Sequence, residues 1–576
     1  MSSLENVCAW RTEAATKAAD TDPSFIARDM SSLLYLRAGR TDIQSPNMRA
    51  AIGIATAAPL FAASLFAQGG GGVQFRDYKA AGPTLNPRAS CAQLVALTSY
   101  DFSVYSAVIV PPSAAVPEHC RVDLLVQPDI NIEVNLPAVW NGRLYMFGNG
   151  GFAGESFEAT GRAANRARGL RAGFVTAATD TGHSARREPG GTFAVSRQKF
   201  IDFGFRSLHV TAETAKRLIA AYYSQPLAKA YFDGCSTGGR QALMLAQRFP
   251  ADFDGIIAGS PGLNYTGGQI ARVYWKQGLA TNPFPADKLN LLANRVYEVC
   301  DAKDGLKDGL IDNPLACDFR PARDLPHCEG SADRPDCFTS NQIAALDRLY
   351  ADVPRQGKRY FPGWPVGSEV TGPNGQSGWL GQHINTTAGQ SAWNGYASGF
   401  VRFILGPGTP LASLSDADAL EKFDMEKDYE NLAFAQQVLD ATDPDLTAFR
   451  QRGGKLLMYF GWADPQLNPR MGLEYYEAVT AKMGPSTQDF ARLFMVPGMF
   501  HCGGGIGTST FDSATPLAQW VEQGKAPESI AAARVINGQT VRTRPLCPWP
   551  EVARYKGSGS IDDAANFTCR RSTPAP

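Results

Sequence analysis

The sequence lacks an excess of charge of either sign, since 55 Lys and Arg residues balance 55 Asp and Glu residues among 576. Without a basic excess, neither nucleic acid nor an acidic membrane surface is expected as the main partner. Short cysteine pairs are also missing, because no spacing among the eleven cysteines repeats the two close pairs of a zinc site. Histidine is scarce, with six residues, so a catalytic histidine has few candidates.

Long apolar runs are missing too, except at residues 50–67, which follow Met48 and Arg49. A short apolar run after a positive charge is typical of a signal peptide. Because this run lies deep in the chain, we expect translation to start at Met48 and residues 1–72 to form a leader. A membrane anchor is the alternative, but Pro59 interrupts the run, which is short for a span. We expect a secreted or periplasmic protein with no stable membrane association, and the sequence leaves its oligomeric state open.

Ten of the eleven cysteines follow this leader, all but Cys8. An even number is what a fully paired, oxidised protein needs, which agrees with export. Spacing alone does not establish which cysteines pair.

The chain alternates strand-like and helix-like segments on both sides of a long irregular region. This alternation predicts an α/β fold with a parallel sheet covered by helices. We expect a catalytic domain from residues 73–262 and 447–576, with 263–446 inserted. Strands are predicted at 103–110, 121–127, 143–151, 172–180, 229–234, 254–262, 453–464 and 491–499, and helices at 207–223, from Thr237 onward, and at 472–483.

The segment GCSTGG, residues 234–239, lies between a predicted strand and a predicted helix, which is the setting of a nucleophile elbow. Such a sharp turn strains the backbone of the serine. It also leaves no room for large side chains on the residues two positions before and two positions after the serine. We predict Ser236 as the nucleophile. The backbone N–H groups of Thr237 and Gly148 are the predicted oxyanion donors. A Gly-Ser turn without chemical consequence is the alternative.

In α/β-hydrolases an acid and then a histidine follow the serine along the chain. Of the histidines after Ser236, His327 and His383 lie in the inserted region, whereas His501 follows a predicted strand on a glycine-flanked loop. We predict His501 as the base and Asp464, which ends another strand, as the acid that orients it. The alternative for Asp464 is an ordinary turn residue.

Two cysteines adjoin this chemistry, since Cys235 precedes Ser236 and Cys502 follows His501. A disulfide between them would fix the geometry of nucleophile and base. Two unpaired buried thiols are the alternative.

These motifs, with FGNGGFAG at 147–154, ATDTGH at 178–183 and RTRPLCPWP at 542–550, resemble the tannase and feruloyl esterase family over most of the chain. The resemblance implies an α/β-hydrolase core with a large inserted lid domain, which hydrolyses carboxylic esters of phenolic acids. The chemistry of a serine esterase needs no organic cofactor. The resemblance also implies the disulfides Cys91–Cys120, Cys235–Cys502, Cys300–Cys317, Cys328–Cys337 and Cys547–Cys569.

The lid carries an acidic, glycine-containing loop at residues 301–312. Carboxylates at this spacing can converge on a hard cation, although from the residues alone a solvated acidic loop fits equally well. The family resemblance implies a structural calcium held by Asp301, Asp304, Asp308 and the carbonyls of Leu306 and Leu310.

Aromatic residues of the lid could stack on an aromatic ester, although packing in the core is their commoner use. The family includes bacterial mono(2-hydroxyethyl) terephthalate hydrolases, in which a lid arginine binds the free carboxylate. Here Ala392 stands near that position, and Arg402 is the only base of the run. We therefore predict a serine esterase for small phenolic-acid esters, with a terephthalate monoester hydrolase and a catalytically silent polyphenol- or carbohydrate-binding protein as alternatives. The aromatic candidates are Trp379, Trp393, Tyr396, Phe400 and Phe403.

Overall fold

The computed structural model describes residues 74–281, 284–330, 332–376, 378–384 and 392–571. The predicted leader, residues 1–72, lies outside them. No helix in this described part of the chain is long and apolar enough to cross a membrane.

A nine-stranded sheet organises the fold. Its strands are β1 (Phe102–Val110), β2 (His119–Val126), β3 (Ile130–Pro137), β4 (Arg143–Phe147), β5 (Val175–Thr179), β6 (Lys229–Cys235), β7 (Gly255–Gly259), β10 (Lys455–Gly461) and β11 (Ala491–Val496). They lie in the order β1-β2-β3-β5-β4-β6-β7-β10-β11. The pairs from β1 to β5 are antiparallel, and those from β5 to β11 are parallel. The predicted α/β fold is therefore confirmed, with an antiparallel extension at one edge.

The parallel strands are buried on both faces because helices cover them. Strands β4, β5 and β7 are buried along their whole length. The helices are α1 (Thr160–Arg171), α2 (Arg197–Ile201), α3 (Ser207–Tyr223), α4 (Thr237–Arg248), α5 (Tyr265–Thr281), α6 (Leu289–Cys300), α7 (Pro321–Asp324), α8 (Ser340–Tyr350), α9 (Ala392–Gly399), α10 (Asp416–Lys422), α11 (Leu432–Leu439), α12 (Thr447–Gln451), α13 (Pro469–Met483) and α14 (Ala514–Gln523).

A long excursion separates β7 from β10, although these two strands are paired neighbours in the sheet. It contains α5 to α12 and a small hairpin of β8 (Val353–Arg355) and β9 (Lys358–Phe361). The predicted lid, residues 263–446, lies within this excursion, and its status as a separate domain stays a prediction.

The C-terminal part adds two small antiparallel sheets. One contains β12 (Thr510–Phe511), β13 (Ile530–Ile536) and β14 (Gln539–Leu546), and the other contains β15 (Glu551–Tyr555) and β16 (Phe567–Arg571).

Five disulfides cross-link the part of the chain that the structure describes, with Cα–Cα distances between 4.9 and 5.9 Å. All five pairs implied by the family resemblance are confirmed. They are Cys91–Cys120, Cys235–Cys502, Cys300–Cys317, Cys328–Cys337 and Cys547–Cys569.

Candidate active site

Ser236 occupies the sharp turn between β6 and α4, with φ 64° and ψ −121°. A side chain at Gly234 would place its Cβ 2.4 Å from the carbonyl oxygen of Gly238, and a Cβ on Gly238 would lie 3.1 Å from the carbonyl oxygen of Asn149. The turn therefore needs small residues two before and two after the serine, as predicted. The positive φ of a non-glycine residue stores backbone strain at this position.

Asp464 and His501 form a buried hydrogen-bonded pair at the carboxyl ends of β10 and β11. His501 donates from Nδ1 to Oδ2 of Asp464 at 2.8 Å. The other carboxylate oxygen accepts backbone N–H bonds from Gln466 at 2.8 Å and Leu467 at 3.0 Å. Because Asp464 is 0% exposed and both of its oxygens are engaged, its orientation is fixed. The Nδ1–H bond leaves Nε2 of His501 as the basic nitrogen.

Ser236 and His501 line the same cavity, and the disulfide Cys235–Cys502 joins the residues next to them. Among the described residues, no hydrogen bond links the Ser236 hydroxyl to the imidazole of His501. Such contacts are often long in a substrate-free hydrolase and tighten when substrate binds.

The predicted oxyanion donor Gly148 needs correction. Its backbone N–H donates to the carbonyl oxygen of Asp233 at 2.9 Å, because it continues the ladder between β4 and β6. The N–H of Asn149 donates to Gln241, and that of Gly150 donates to Glu155. Gly148 instead lets the turn approach the elbow, since a Cβ there would lie 2.6 Å from Cα of Gly238.

Gly151 is the next residue of this turn, and it lines the cavity beside Thr237. The Thr237 hydroxyl donates to the Gly151 carbonyl oxygen at 2.6 Å, which ties the two loops together. Thr237 is the first residue of α4, so its N–H has no acceptor within the helix. In the described part of the chain, the N–H of Gly151 has no acceptor either.

The cavity is bounded by the elbow, by α5 and by residues near β9 and α13. Arg272 is the one lining residue with a permanent charge, and several aromatic side chains surround it. The lining residues are Gly151, Ser236, Thr237, Gly262, Asn264, Tyr265, Gly268, Gln269, Arg272, Trp275, Phe361, Trp364, Tyr396, Gln466, Leu467, Asn468, Met471 and His501.

Of the five lid aromatics predicted to contact substrate, the structure places Tyr396 in this lining. Trp379 is fully buried against Tyr350, and Trp393 is buried against Trp275 behind the cavity wall. The wall therefore differs from the predicted one.

The other two predicted aromatics also lie outside the lining. Phe400 is fully buried in a separate apolar cluster, and Phe403 lies under the guanidinium of Arg402. Arg402 forms an ion pair with Asp416 and is absent from the cavity. Of the cavity wall, the sequence therefore identified Tyr396 but not the cation Arg272.

Helix α5 supplies much of the wall, and the sequence-based prediction missed it. Only five residues, 260–264, separate it from the end of β7. The turn that follows this strand lies at the same sheet edge as the elbow and leads directly into α5. That short connection is the signal that could have drawn attention to Tyr265, Arg272 and Trp275.

The acidic loop folds around its own carboxylates. Asp301 accepts the backbone N–H groups of Asp308 and Gly309, each at 3.1 Å, and Asp304 accepts those of Leu306 and Asp312, each at 3.0 Å. Burial and the neighbouring carboxylates of Asp304 and Asp308 raise the pKa of Asp312 above its ordinary value.

Basic side chains from the C-terminal sheets also reach this loop, since Arg544 forms an ion pair with Asp308. No three or more Asp, Glu, His or Cys side chains within the described ranges are arranged to hold a metal ion. The donor chemistry, carboxylates with backbone carbonyls, nevertheless suits calcium.

Comparisons with known proteins agree with this geometry. A family model described as "Tannase and feruloyl esterase" matches residues 114–570. The chain is 36% identical over 517 residues to a mono(2-hydroxyethyl) terephthalate hydrolase of Piscinibacter sakaiensis, covering 79% of this chain and 85% of the relative. It is 31% identical over 478 residues to feruloyl esterase B of Aspergillus niger, covering 78% and 86%. The crystal structure of feruloyl esterase B from Aspergillus oryzae superposes with a TM-score of 0.69 at 26% identity, covering 83% of this chain and 99% of that one.

Proposed function

Because the chain belongs to the tannase and feruloyl esterase family and is a carboxylic ester hydrolase, we propose that it cleaves small phenolic-acid esters with Ser236, His501 and Asp464 as its triad. The observation that carries this proposal is the buried Asp464–His501 pair, which opens into the cavity of the strained Ser236 elbow. Three neighbouring regions of one sheet edge thus supply a nucleophile, a base and an orienting acid.

In the acylation step, Nε2 of His501 takes the proton of the Ser236 hydroxyl as its oxygen attacks the ester carbonyl. Asp464 stabilises the imidazolium without taking up the proton, because its two oxygens already accept hydrogen bonds. The imidazolium then protonates the leaving alcohol. Water attacks the acyl-enzyme by the same route, and the acid is released.

The tetrahedral oxyanion forms beside the N–H groups of Thr237 and Gly151. The bond from the Thr237 hydroxyl to the Gly151 carbonyl sets the spacing of these donors before substrate arrives. Such preorganised donors lower the barrier because they do not reorganise during the reaction. The N-terminal end of α4 adds a favourable field for negative charge.

Export and calcium binding belong to the same proposal. Five disulfides favour a protein that works in an oxidising compartment outside the cytosol. In the acidic loop, Asp301, Asp304, Asp308 and the carbonyls of Leu306 and Leu310 would hold a calcium ion. That ion would screen the mutual repulsion of these carboxylates and stabilise the loop.

Hydrolysis of a terephthalate monoester is the second candidate activity. The Piscinibacter sakaiensis relative is named for it, and Arg272 places a positive charge in the cavity although Arg402 does not reach it.

The test is kcat/KM for methyl ferulate, methyl gallate and mono(2-hydroxyethyl) terephthalate, measured for the wild-type protein and for Ser236→Ala. We expect the wild type to hydrolyse at least one of these esters and to react with a fluorophosphonate probe. Ser236→Ala should lose both properties while keeping its thermal unfolding temperature. A wild type that neither turns over nor labels would favour a silent binding protein.

A further inference from the structure

Arg272 is an isolated charge inside the cavity. It is 6% exposed, and no Asp or Glu among the described residues forms an ion pair with it. Its guanidinium donates to the amide oxygen of Gln269 at 3.1 Å and to the backbone carbonyl of Gln466. Both acceptors are neutral, so the positive charge is not balanced by direct contact. An arginine stays protonated in proteins even though burial lowers the pKa of this one.

The acidic group whose field acts on Arg272 is Asp464. Asp464 already binds His501 through one oxygen and two backbone N–H groups through the other. The arginine is therefore left with unused hydrogen-bonding capacity next to the reacting groups.

Two further donors on α5 line the same cavity without partners. The indole Nε1–H of Trp275, which is 1% exposed, has no hydrogen-bond acceptor in the described part of the chain. The Tyr265 hydroxyl lies close to Gln269 but makes no hydrogen bond of normal geometry. Burial raises the pKa of Tyr265, so this group remains a donor at neutral pH. A buried donor without an acceptor is costly, and an acceptor brought by the substrate removes that cost.

Aromatic rings flank the guanidinium, with its carbon 5.7 Å from the ring centre of Tyr396 and 5.9 Å from that of Trp393. Flanking rings restrict the orientation of the guanidinium plane. Planar guanidinium groups bind carboxylates through two parallel hydrogen bonds. A carboxylate is thus the anion that fits best.

We propose that Arg272, helped by the free donors of Tyr265 and Trp275, binds a carboxylate carried by the substrate. The preferred substrates are then esters that keep one free carboxylate, either on the acyl part, as in monoesters of aromatic dicarboxylic acids, or on the alcohol part. This inference rests on the proposed function, because it concerns which ester the Ser236 site selects.

The test compares matched esters with and without the carboxylate. Monomethyl terephthalate against dimethyl terephthalate places the carboxylate on the acyl part, and the feruloyl ester of glycolic acid against methyl ferulate places it on the alcohol part. We expect kcat/KM to favour the charged member of one pair. In Arg272→Gln this preference should fall by about 10- to 100-fold, the usual loss for a charge-assisted hydrogen-bonding pair. Arg272→Lys should recover part of it.

Arg402→Gln is the matched control, since it removes another arginine of the inserted region that lies outside the cavity. Its preference should equal that of the wild type. An equal loss on charged and neutral esters in Arg272→Gln would overturn the proposal, because it would mean that Arg272 merely positions the loop of Gln466 and Asp464. A wild type without preference in either pair would overturn it too, while leaving the esterase function intact.

Binding supplies a readout that does not depend on turnover. Calorimetric titration of the Ser236→Ala protein with benzoate and with the neutral benzamide should show tighter binding of benzoate. Adding Arg272→Gln should abolish the difference. Equal affinity for the two compounds in Ser236→Ala would contradict the proposal. Failure of the wild type on every ester would instead refute the proposed function.

Discussion

The disulfide Cys235–Cys502 should affect turnover as well as stability, whereas a disulfide far from the site should affect stability alone. It joins residues 267 apart in sequence, with a Cα–Cα distance of 5.9 Å, and its two cysteines adjoin Ser236 and His501, the proposed nucleophile and base. Cys502 itself has a φ of 61°, in the left-handed region that non-glycine residues avoid. Replacing both cysteines by alanine removes the covalent restraint on this residue. The backbone next to His501 can then relax toward an ordinary conformation.

The loss of stability has an upper limit set by loop-closure entropy. For a loop of this length the chain-entropy relation corresponds to about 5 to 6 kcal/mol, and the disulfides within the loop reduce that figure. For catalysis, a displacement of about 1 Å at the base costs on the order of a hundredfold in rate. We therefore expect kcat to fall about 10- to 100-fold while KM changes little, because neither cysteine is among the residues that line the cavity.

The assay measures kcat and KM on the preferred ester at a temperature well below unfolding, with thermal unfolding recorded in parallel. The control is the double variant Cys91→Ala with Cys120→Ala. It removes a disulfide between residues 29 apart in sequence, near the opposite end of the sheet. That variant should lose about 3 to 4 kcal/mol at most and keep its kcat per folded molecule. If both double variants lose stability but neither loses kcat, the disulfide does not position His501 and the reasoning fails.

Two further predictions concern buried carboxylates. Glu369 accepts hydrogen bonds from the Tyr350 hydroxyl at 2.8 Å and the Gly367 N–H at 2.7 Å, yet burial raises its pKa from 4.5 to about 7. The folded protein holds this proton more tightly than the unfolded chain, so the free energy of unfolding of the wild type falls as pH rises from 4.5 through 7. Glu369→Gln lacks this group. In denaturant unfolding, its free energy of unfolding relative to that of the wild type should therefore rise by about 3 kcal/mol between pH 4 and pH 8. Parallel pH profiles of the two proteins would contradict this. Dialysis of the wild type against chelator should lower its unfolding temperature by several degrees and leave kcat unchanged. The Asp304→Asn variant should unfold at a lower temperature than the untreated wild type, with or without chelator. An unchanged unfolding temperature of the wild type after dialysis would argue against calcium in the 301–312 loop.

The catalytic strands were predictable because their burial is a local property of the sequence. The apolar runs of β6, β10 and β11 are short, bounded by turn residues and followed by Ser236, Asp464 and the loop of His501. Helix α3 has the bounds 207–223 that its apolar spacing predicts.

Strand β3 escaped prediction because polar side chains interrupt it. Glu133 is 1% exposed, but its charge is balanced by ion pairs with Arg121 and Arg166. Arg121 lies on β2 and Arg166 on α1, and no spacing along the chain reveals such partners. The cavity wall was missed for a related reason. An aromatic residue that packs in the core, such as Trp379, and one that lines a cavity, such as Trp275, have the same local signature.

The position of the insertion separates the proposed catalytic residues from the proposed substrate-binding wall. Strands β7 and β10 pair directly from Gly255 opposite Lys455 to Gly259 opposite Tyr459, although the whole predicted lid, residues 263–446, lies between them in sequence. The sheet edge that carries Ser236, Asp464 and His501 is therefore held by core strands. Helix α5, which begins the insertion, supplies the charged wall. Substitutions in α5 should consequently change the preference among esters more than they change the chemical step of ester cleavage.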